Sequence, residues 1–405
     1  MRIAEINMIS YGSTGKIMLQ IAKCARQYGH LVQTYSTNTF NVKYKKNFPA
    51  QEGHFYYGTY FENGVHYALG SLFGRNGEFS VFGTQQLINS LKKFNPDIIH
   101  LHNLHNFCIC FPMLFNYIKK NNIKVVWTFH DCWAFTGQCP HFEVVQCEKW
   151  KNGCYGCPQL DSYPKSRIDN SKNMYRKKKE WFTGIKDLTV VTPSKWLSDL
   201  VKQSFFKEYP VKIINNGIDL SIFKPVKNNF REKYNCQDEY ILLGVSFGWG
   251  KRKGLDVFIE LSKRLSDKYR IVLVGTDENV DKQLPDNIIS IHQTQNQKEL
   301  AEIYSTADLF VNPTREENYP TVNMESIACG TPVVTFNTGG SAEILDKNCG
   351  SVVKYNDIDA LEKEILYICE NKPYSLEACL KRAEYFDMNN KFKEYVDLYE
   401  DVLDI

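Results

Sequence analysis

The chain has 405 residues, 43% of them hydrophobic and 23% charged, with a formal net charge of +3. This length is too great for one ordinary core and predicts two domains, and the composition is that of a globular protein. The net charge is too small to indicate nucleic-acid binding. The amino terminus lacks the pattern of a signal peptide, and no apolar run reaches the roughly 18 residues that span a bilayer. We therefore expect a cytoplasmic protein.

Short β-rich runs alternate with helical stretches from the amino terminus onward, which is typical of an α/β protein with parallel sheets. Residues 2–9 predict a first strand, residues 11–15 ("YGSTG") a turn, and residues 16–29 a helix with one apolar face. Residues 40–80 are rich in Tyr, Phe, Gly and Asn without a clean period. We interpret them as a functional loop region.

A polar stretch over residues 221–240 separates this series from a second one, which has five or six strands. We predict two doubly wound domains, residues 1–222 and residues 223–385, with a C-terminal helix over residues 386–405 joining the first domain. Such domains bind ligands at the carboxyl ends of their strands, which predicts a central cleft between them.

Two glutamates, Glu317 and Glu325, are separated by seven residues where the strand "ADLFVNPT" leads through a loop into a helix. We expect Thr321 to cap this helix, whose free backbone N–H groups form an anion site. A diphosphate bound there would have one carboxylate on either side to accept hydrogen bonds from sugar hydroxyls. Glu325 could instead serve only to complement the helix dipole.

The motif "SFGWGKRKGLDVF" places Arg252 and Lys253 after the first strand of the second domain. Two cations there would offset the charge of a departing diphosphate, although a solvated basic loop is the simpler explanation of the motif taken alone. The glycine turn "YGSTGKI" lacks the spacing of a Walker A loop and of a Rossmann fingerprint, which counts against an ATPase and a dehydrogenase. It leaves a turn that can approach a ligand closely.

The ordered set "VTPS", "NNGID", "RKGLDVFI", "ADLFVNPT", E-x7-E and "GTPVVTFNTGGSAEIL" resembles the retaining glycosyltransferases of GT-B family 4, over nearly the whole chain. The resemblance implies an α/β fold of the GT-B type, with two doubly wound Rossmann-like domains facing a central cleft. It implies transfer of a sugar from a UDP- or GDP-sugar to a carbohydrate or lipid-linked acceptor hydroxyl. The anomeric configuration would be retained without a catalytic metal, in capsule, O-antigen, exopolysaccharide or glycolipid biosynthesis.

By the same resemblance, Glu317 lies at the donor sugar, Glu325 holds the nucleotide ribose and His130 contacts the transferred sugar. Arg252 and Lys253 would bind the diphosphate. The donor-binding set is completed by the glycine turn and by the loop after Glu317, with the residues Gly12, Gly15, Lys16, Asn318, Tyr319 and Pro320. Many family members have glycine where this chain has Asn318 and Pro320, so the resemblance does not imply which sugar is carried.

Two histidines, His102 and His105, follow a first-domain strand and are candidates for the acceptor side, although a structural role explains each of them more simply. An epimerase acting on nucleotide sugars shares the predicted architecture, and a non-catalytic sugar-binding homologue would keep the fold. The E-x7-E pair together with the basic pair favours a transferase over both alternatives.

Thirteen cysteines are present, and four of them follow the spacing C-x7-C-x6-C-x2-C, at Cys139, Cys147, Cys154 and Cys157. The last pair resembles half of a zinc ribbon, and a cytoplasmic location argues against disulfides. We expect a structural zinc that holds a long insertion. Reduced or redox-linked thiols are an equal alternative.

Residues 165–182 carry seven Lys or Arg against two acids and end in Trp181 and Phe182. A basic cluster beside aromatic residues suits an anionic membrane surface. It predicts peripheral contact with the inner face of the plasma membrane, with a solvated helix face as an equal alternative.

Overall fold

The structure, a computed structural model, describes residues 1–37, 53–105 and 107–404. The chain divides into two compact units, residues 1–214 with 392–405, and residues 215–391. Each unit is a parallel sheet accompanied by helices, as alternating β and α elements require. The predicted fold class, with two doubly wound α/β domains, is confirmed.

The first unit contains a seven-stranded parallel sheet in the order β3-β2-β1-β4-β5-β6-β7. Its strands are β1 (Arg2–Ile6), β2 (Leu31–Thr37), β3 (His54–Tyr57), β4 (Ile98–Leu101), β5 (Lys124–Thr128), β6 (Leu188–Thr192) and β7 (Val211–Ile213). Its helices are α1 (Gly12–Gln27), α2 (Tyr60–Phe73), α3 (Val81–Phe94), α4 (Phe111–Lys120), α5 (Ser171–Phe182), α6 (Lys195–Val201) and most of α15 (Met388–Leu403).

The second unit contains a six-stranded parallel sheet in the order β10-β9-β8-β11-β12-β13. Its strands are β8 (Tyr240–Val245), β9 (Tyr269–Val274), β10 (Ile288–Ile291), β11 (Leu309–Asn312), β12 (Val333–Phe336) and β13 (Gly350–Val353). Its helices are α7 (Phe230–Lys233), α8 (Leu255–Arg264), α9 (Glu278–Asp281), α10 (Gln297–Thr306), α11 (Thr321–Ala328), α12 (Ser341–Ile344), α13 (Ile358–Asn371) and α14 (Leu376–Ala383).

The second sheet is apolar on both faces. Leu243 and Val272 belong to one hydrophobic core, whereas their chain neighbours Leu242 and Ile271 belong to another. Because successive side chains of a strand point to opposite faces, helices must cover the sheet on both sides. The carboxyl edge of the sheet is then the place where polar side chains can gather around a ligand.

The first unit differs from the sequence prediction in two places. The predicted loop region contains strand β3 and helix α2, and its residues 40–52 lie outside the described residues. Helix α2 is capped by Thr59, whose side chain accepts a hydrogen bond from the Glu62 backbone N–H at 3.1 Å. Thr59 followed by Glu62 three residues later is a helix-start signal in the sequence, and the unusual composition of residues 40–80 obscured it. Helix α1 begins at Gly12, so "YGSTG" forms its first turn instead of a separate turn.

Candidate functional site

The loops after strands β8 and β11 lie side by side at the carboxyl edge of the six-stranded sheet, because these strands are neighbours. The first loop carries a helical turn over Lys251–Lys253, and the second carries Glu316 and Glu317. Lys253 Nζ forms an ion pair with the Glu317 carboxylate, and Arg252 Nη1 lies 3.5 Å from the Glu316 carbonyl oxygen. Three of the predicted donor-site residues therefore lie together.

A buried arginine that sequence reasoning missed joins these two loops. The Arg315 guanidinium donates to both carboxylate oxygens of Asp256, at 2.7 and 2.8 Å, and to Asn356 Oδ1 at 2.7 Å. It also donates to the Lys251 carbonyl, and its backbone N–H donates to the Arg252 carbonyl at 2.9 Å. Because a bidentate guanidinium–carboxylate pair has a fixed geometry, Arg315 holds the basic loop against the acidic loop.

The glycines after strand β12 fix the backbone of the acidic loop. Gly339 has a φ of 53°, and a Cβ added to it would lie 1.7 Å from the Glu317 carbonyl oxygen. The next residue, Gly340, donates its backbone N–H to the Asn318 carbonyl at 2.8 Å. A side chain at position 339 is excluded by both the backbone conformation and the close approach. The "TGGS" sequence thus positions the loop that carries Glu317.

Glu325 lies in helix α11, and the Tyr304 hydroxyl donates to its Oε2 at 3.1 Å. Tyr304 is fully buried, so this hydrogen bond restrains the carboxylate. The predicted cap of this helix is wrong. Thr321 is the first helical residue, and Pro320, which precedes it, offers no capping side chain. A helix start without a side-chain cap among the described residues is suited to receive an anion.

Five buried polar atoms in the second unit have no hydrogen-bond partner among the residues that the structure describes, and four of them lie near the carboxyl edge of the sheet. These four are the hydroxyls of Ser246, Thr338 and Ser341 and the side-chain nitrogen of Asn323. Ser246 follows strand β8, Thr338 and Ser341 flank the two glycines after β12, and Asn323 lies in the first turn of α11. Because buried polar groups are nearly always paired, these atoms indicate a polar ligand or ordered water at this edge.

The three residues after Glu317 are buried. Tyr319 is 4% exposed and belongs to the hydrophobic core, with its ring centroid 6.4 Å from that of Phe386. Asn318 and Pro320 are also buried. The predicted contact of Tyr319 with the donor can therefore involve its backbone only.

In the first unit, the glycine turn is the tight start of helix α1. Gly12 has a φ of 69°, and a Cβ added to Gly15 would lie 2.6 Å from the Ser10 carbonyl carbon. Asn7 Nδ2 donates to the Ile9 carbonyl at 2.8 Å, which holds the segment that enters the turn. The next helical residue after Gly15, the predicted donor ligand Lys16, is exposed.

A chain of buried polar groups in the first unit ends at His130. His102 Nε2 lies 3.4 Å from Glu5 Oε2, and His102 Nδ1 lies 3.2 Å from His130 Nε2. Burial lowers the pKa of His102 well below its ordinary value and that of His130 to about 4. Both rings are therefore neutral at neutral pH. His102 is 1% exposed and supports His130 from inside the unit.

His105 is also buried, between two polar partners. Its Nδ1 lies 2.9 Å from the Tyr163 hydroxyl and its Nε2 lies 2.9 Å from Asp131 Oδ2. Burial raises the pKa of Asp131, but the charge and hydrogen bond of His105, together with His141 and the Trp133 N–H, lower it to about 2. The sequence predicted that His102 and His105 lie at the acceptor side. Both side chains mainly contact other protein groups, and the acceptor role stays a prediction.

The four cysteines of the predicted zinc site line one cavity: Cys139, Cys147, Cys154 and Cys157. The Gly137 N–H donates to Cys154 Sγ at 3.1 Å. Burial raises the pKa of Cys139 to about 12 and that of Cys154 to about 11. Four cysteine sulfurs around one cavity match the donor set of a structural zinc site, and binding a metal there would release the thiol protons.

The spacing of the four sulfurs is wider than a zinc site requires. Sulfurs bound to one zinc lie about 3.8 Å apart, given Zn–S bonds of about 2.3 Å. In the described part of the chain, the one group of three potential ligands within 4.8 Å of one another is Glu5, His100 and His102. All three side chains already have hydrogen-bond partners within the protein. His102 Nε2 lies 3.4 Å from Glu5 Oε2, and His100 Nδ1 lies 2.6 Å from the Tyr399 hydroxyl. The zinc site of the cysteines stays a prediction.

The basic segment over residues 165–182 presents its terminal aromatic residues to solvent only in part, because Trp181 is half-buried and Phe182 is buried. Phe182 is fully buried, and Trp181 packs against the core. Lys178 is also buried, with its Nζ 2.8 Å from the Trp133 carbonyl oxygen and 3.3 Å from the centre of the Trp133 ring. Of the two aromatic residues at the end of α5, only Trp181 is therefore partly accessible, and the membrane contact of this segment stays a prediction.

The family model described as Glycosyltransferase Family 4 matches residues 15–222, about half of the chain, and the model described as Glycosyl transferases group 1 matches residues 226–390. The chain belongs to glycosyltransferase family 4. The transferase is 24% identical to the putative colanic acid biosynthesis glycosyl transferase WcaC of Escherichia coli K12, over 99% of this chain and 100% of the relative. A Campylobacter jejuni N,N'-diacetylbacillosaminyl-diphospho-undecaprenol alpha-1,3-N-acetylgalactosaminyltransferase is 26% identical over 51% of this chain and 58% of the relative.

Solved structures show that the transferase has the GT-B fold. Sucrose-phosphate synthase from Thermosynechococcus elongatus superposes with a TM-score of 0.72 at 18% identity, over 99% of each chain. Anabaena Alr3699/HepE in complex with UDP-glucose superposes with a TM-score of 0.67 at 12% identity, also over 99% of each chain. The predicted family and fold are confirmed.

Proposed function

We propose that this glycosyltransferase moves a sugar from a UDP- or GDP-linked donor to the hydroxyl of a carbohydrate or lipid-linked acceptor in polysaccharide or glycolipid assembly. We further propose that the anomeric configuration is retained and that the transfer needs no catalytic metal. The observation that carries the proposal is the carboxyl edge of the second sheet, where a basic loop, an acidic loop and unpartnered buried hydroxyls lie together.

The residues of this edge have roles that follow from their charges. The diphosphate would bind between the basic loop and the start of helix α11, because both present positive charge. Lys253 would exchange its ion pair with Glu317 for the phosphate, which leaves Glu317 to accept hydrogen bonds from the donor sugar. Glu325, restrained by Tyr304, would accept hydrogen bonds from the ribose hydroxyls.

The bond changes of a retaining transfer require no protein nucleophile. The bond between the anomeric carbon and the leaving phosphate oxygen breaks, and the acceptor oxygen forms its bond on the same face. The leaving phosphate takes the acceptor proton. Neutral His130 would donate or accept one hydrogen bond at a sugar hydroxyl, since burial holds its pKa at about 4.

The names of similar proteins support the substrate classes. WcaC is named for colanic acid biosynthesis, the Campylobacter jejuni relative acts on a diphospho-undecaprenol substrate, and HepE was solved with UDP-glucose. The name of the Campylobacter jejuni relative supports an acceptor that is itself lipid-linked.

The test is a transfer assay with UDP- and GDP-sugars and undecaprenyl-diphosphate saccharides, followed by NMR of the product's anomeric proton. We expect one donor to yield product with the donor's own anomeric configuration, and Glu317→Gln to reduce turnover at least tenfold. The control Glu362→Gln, in a residue of α13 that pairs with Arg264, should not reduce turnover. An inverted product would contradict retention. Donor sugar converted to its epimer without transfer would indicate an epimerase instead.

A further inference from the structure

Helices α2 and α3 expose an apolar surface in the first unit. We name it the α2–α3 patch, and its members are Phe61, Val65, Ala68, Leu72, Val81 and Phe82, all exposed. Phe61 is 80% exposed and Phe82 is 59% exposed. Side chains this apolar are usually covered, and a contiguous apolar surface marks an interaction site.

The patch follows from the helical period. Residues 61, 65, 68 and 72 recur at spacings of four, three and four, which places them on one face of α2. The opposite face carries the two fully buried residues of this helix, His66 and Gly70. Helix α2 therefore has one face packed inside the unit and an apolar face toward solvent. Packing within the described parts of the unit accounts for only the first face.

The start of α3 continues this surface. The Glu62 carboxylate accepts hydrogen bonds from the Phe82 N–H at 2.8 Å and from the Gly83 N–H at 2.9 Å. These bonds hold the backbone of Phe82 and Gly83 beside the first turn of α2. Glu62 is the one charged residue within α2, and its charge is directed at these backbone groups, so the exposed face of the helix carries no charge.

Basic residues lie at the other end of α2. The Arg167 N–H donates to the Ser71 carbonyl at 2.8 Å, and Asn170 Nδ2 donates to the Gly74 carbonyl at 3.2 Å, so the segment before α5 lies against the end of α2. Four exposed cations in and after this segment form what we call the basic rim: Lys165, Arg167, Lys172 and Arg176. The neighbouring acid Asp169 accepts hydrogen bonds from the Cys157 and Ser171 N–H groups.

We propose that the α2–α3 patch and the basic rim together dock on an anionic phospholipid bilayer. Aromatic and aliphatic side chains bordered by Lys and Arg are the composition of an interfacial membrane surface, in which the apolar face enters the headgroup region and the cations meet lipid phosphates. The cations of this surface belong to the segment over residues 165–182 that the sequence analysis singled out, whereas its exposed apolar residues belong to α2 and α3. A surface of this kind would bring the transferase to lipid-linked acceptors.

The experiment is flotation of the full chain with phosphatidylcholine vesicles, with and without phosphatidylglycerol, in the absence of donor and acceptor. Phe61→Ser combined with Phe82→Ser removes the most exposed side chains of the patch. Arg167→Gln combined with Lys172→Gln weakens the rim. Tyr367→Ser, which replaces an exposed aromatic residue of the second unit, is the matched control, and thermal unfolding of every variant reports on folding.

We expect the wild type and Tyr367→Ser to float with anionic vesicles. The serine pair should weaken binding at least tenfold without lowering the unfolding temperature, and the glutamine pair should weaken it roughly fivefold per charge removed and reduce its salt dependence. The proposal is overturned if the wild type does not float or if the serine pair floats equally well. It is also overturned if light scattering shows a dimer that the serine pair dissociates, because a second copy would then cover the patch. Vesicle binding is independent of the donor site, so this result and the transfer assay can fail separately.

Discussion

Replacing Arg315 by Met tests whether the basic and acidic loops are held as one unit. The side chain of Arg315 is 7% exposed and donates to both oxygens of Asp256 and to Asn356. Breaking a buried ion pair from one side costs about 3–5 kcal/mol. Because the Asp256 side chain is 48% exposed and can be rehydrated, we expect a smaller loss of about 2–3 kcal/mol. For a unit of this size, that lowers the unfolding temperature by roughly 4–12 °C.

Arg264→Met is the matched control. Arg264 also pairs with carboxylates, those of Glu260, Asp359 and Glu362, but on the surface. Exposed pairs contribute little to stability, so this variant should unfold like the wild type. Thermal unfolding and nucleotide calorimetry of both variants give the comparison. Arg315→Met should also weaken nucleotide binding, because the Lys251–Lys253 turn loses its anchor. An Arg315→Met protein as stable as Arg264→Met would refute this reasoning.

Three further predictions concern other parts of the chain. Tyr304→Phe removes the hydroxyl that restrains Glu325 and should weaken UDP or GDP binding by about 1 kcal/mol, roughly fivefold in Kd. Calorimetry measures this loss. An equal loss of affinity for the 2′,3′-dideoxy nucleotide would contradict a contact between Glu325 and the ribose hydroxyls. Burial lowers the pKa of His66 to about 4, and its Nε2 accepts the Gly77 N–H, so the unfolded chain binds a proton between pH 6.5 and 4 that the folded chain does not. His66 should therefore contribute about 2 kcal/mol to the fall in stability between pH 7 and pH 5, and urea unfolding of His66→Leu should show a fall that is smaller by about that amount. Metal analysis should find about one zinc per chain, lost in Cys139→Ser, whereas well under one zinc in the wild type would leave the thiols metal-free.

The meeting of the basic loop and the acidic loop could be predicted from the sequence because its signals are local. Glu317 and Glu325 lie within one strand-loop-helix segment, and Arg252 and Lys253 follow a strand that pairs directly with it. Parallel strands bring such loops to one edge of the sheet, so a reading of single segments was enough to place the residues together.

The supporting groups could not be predicted because their partners are distant in the chain. Arg315 pairs with Asp256, 59 positions away, and His102 pairs with Glu5, 97 positions away. Neither pair leaves a local pattern, although a glutamate inside the apolar first strand was a visible anomaly. Likewise, the sequence of α5 does not reveal that Phe182 faces the core, since the choice of buried face depends on tertiary packing.

The most direct test of the donor site is thermal unfolding with UDP, GDP, ADP and CMP at equal concentrations, for wild type, Glu325→Ala and the control Glu362→Ala. A nucleotide at a hundred times its Kd adds about 2.7 kcal/mol to the folded state, or roughly 5–11 °C for a unit of this size. We expect one nucleoside diphosphate to stabilise the wild type and Glu362→Ala, and to have a much smaller effect on Glu325→Ala. Stabilisation by none of the four, or equal stabilisation of Glu325→Ala, would contradict a donor site built around this glutamate.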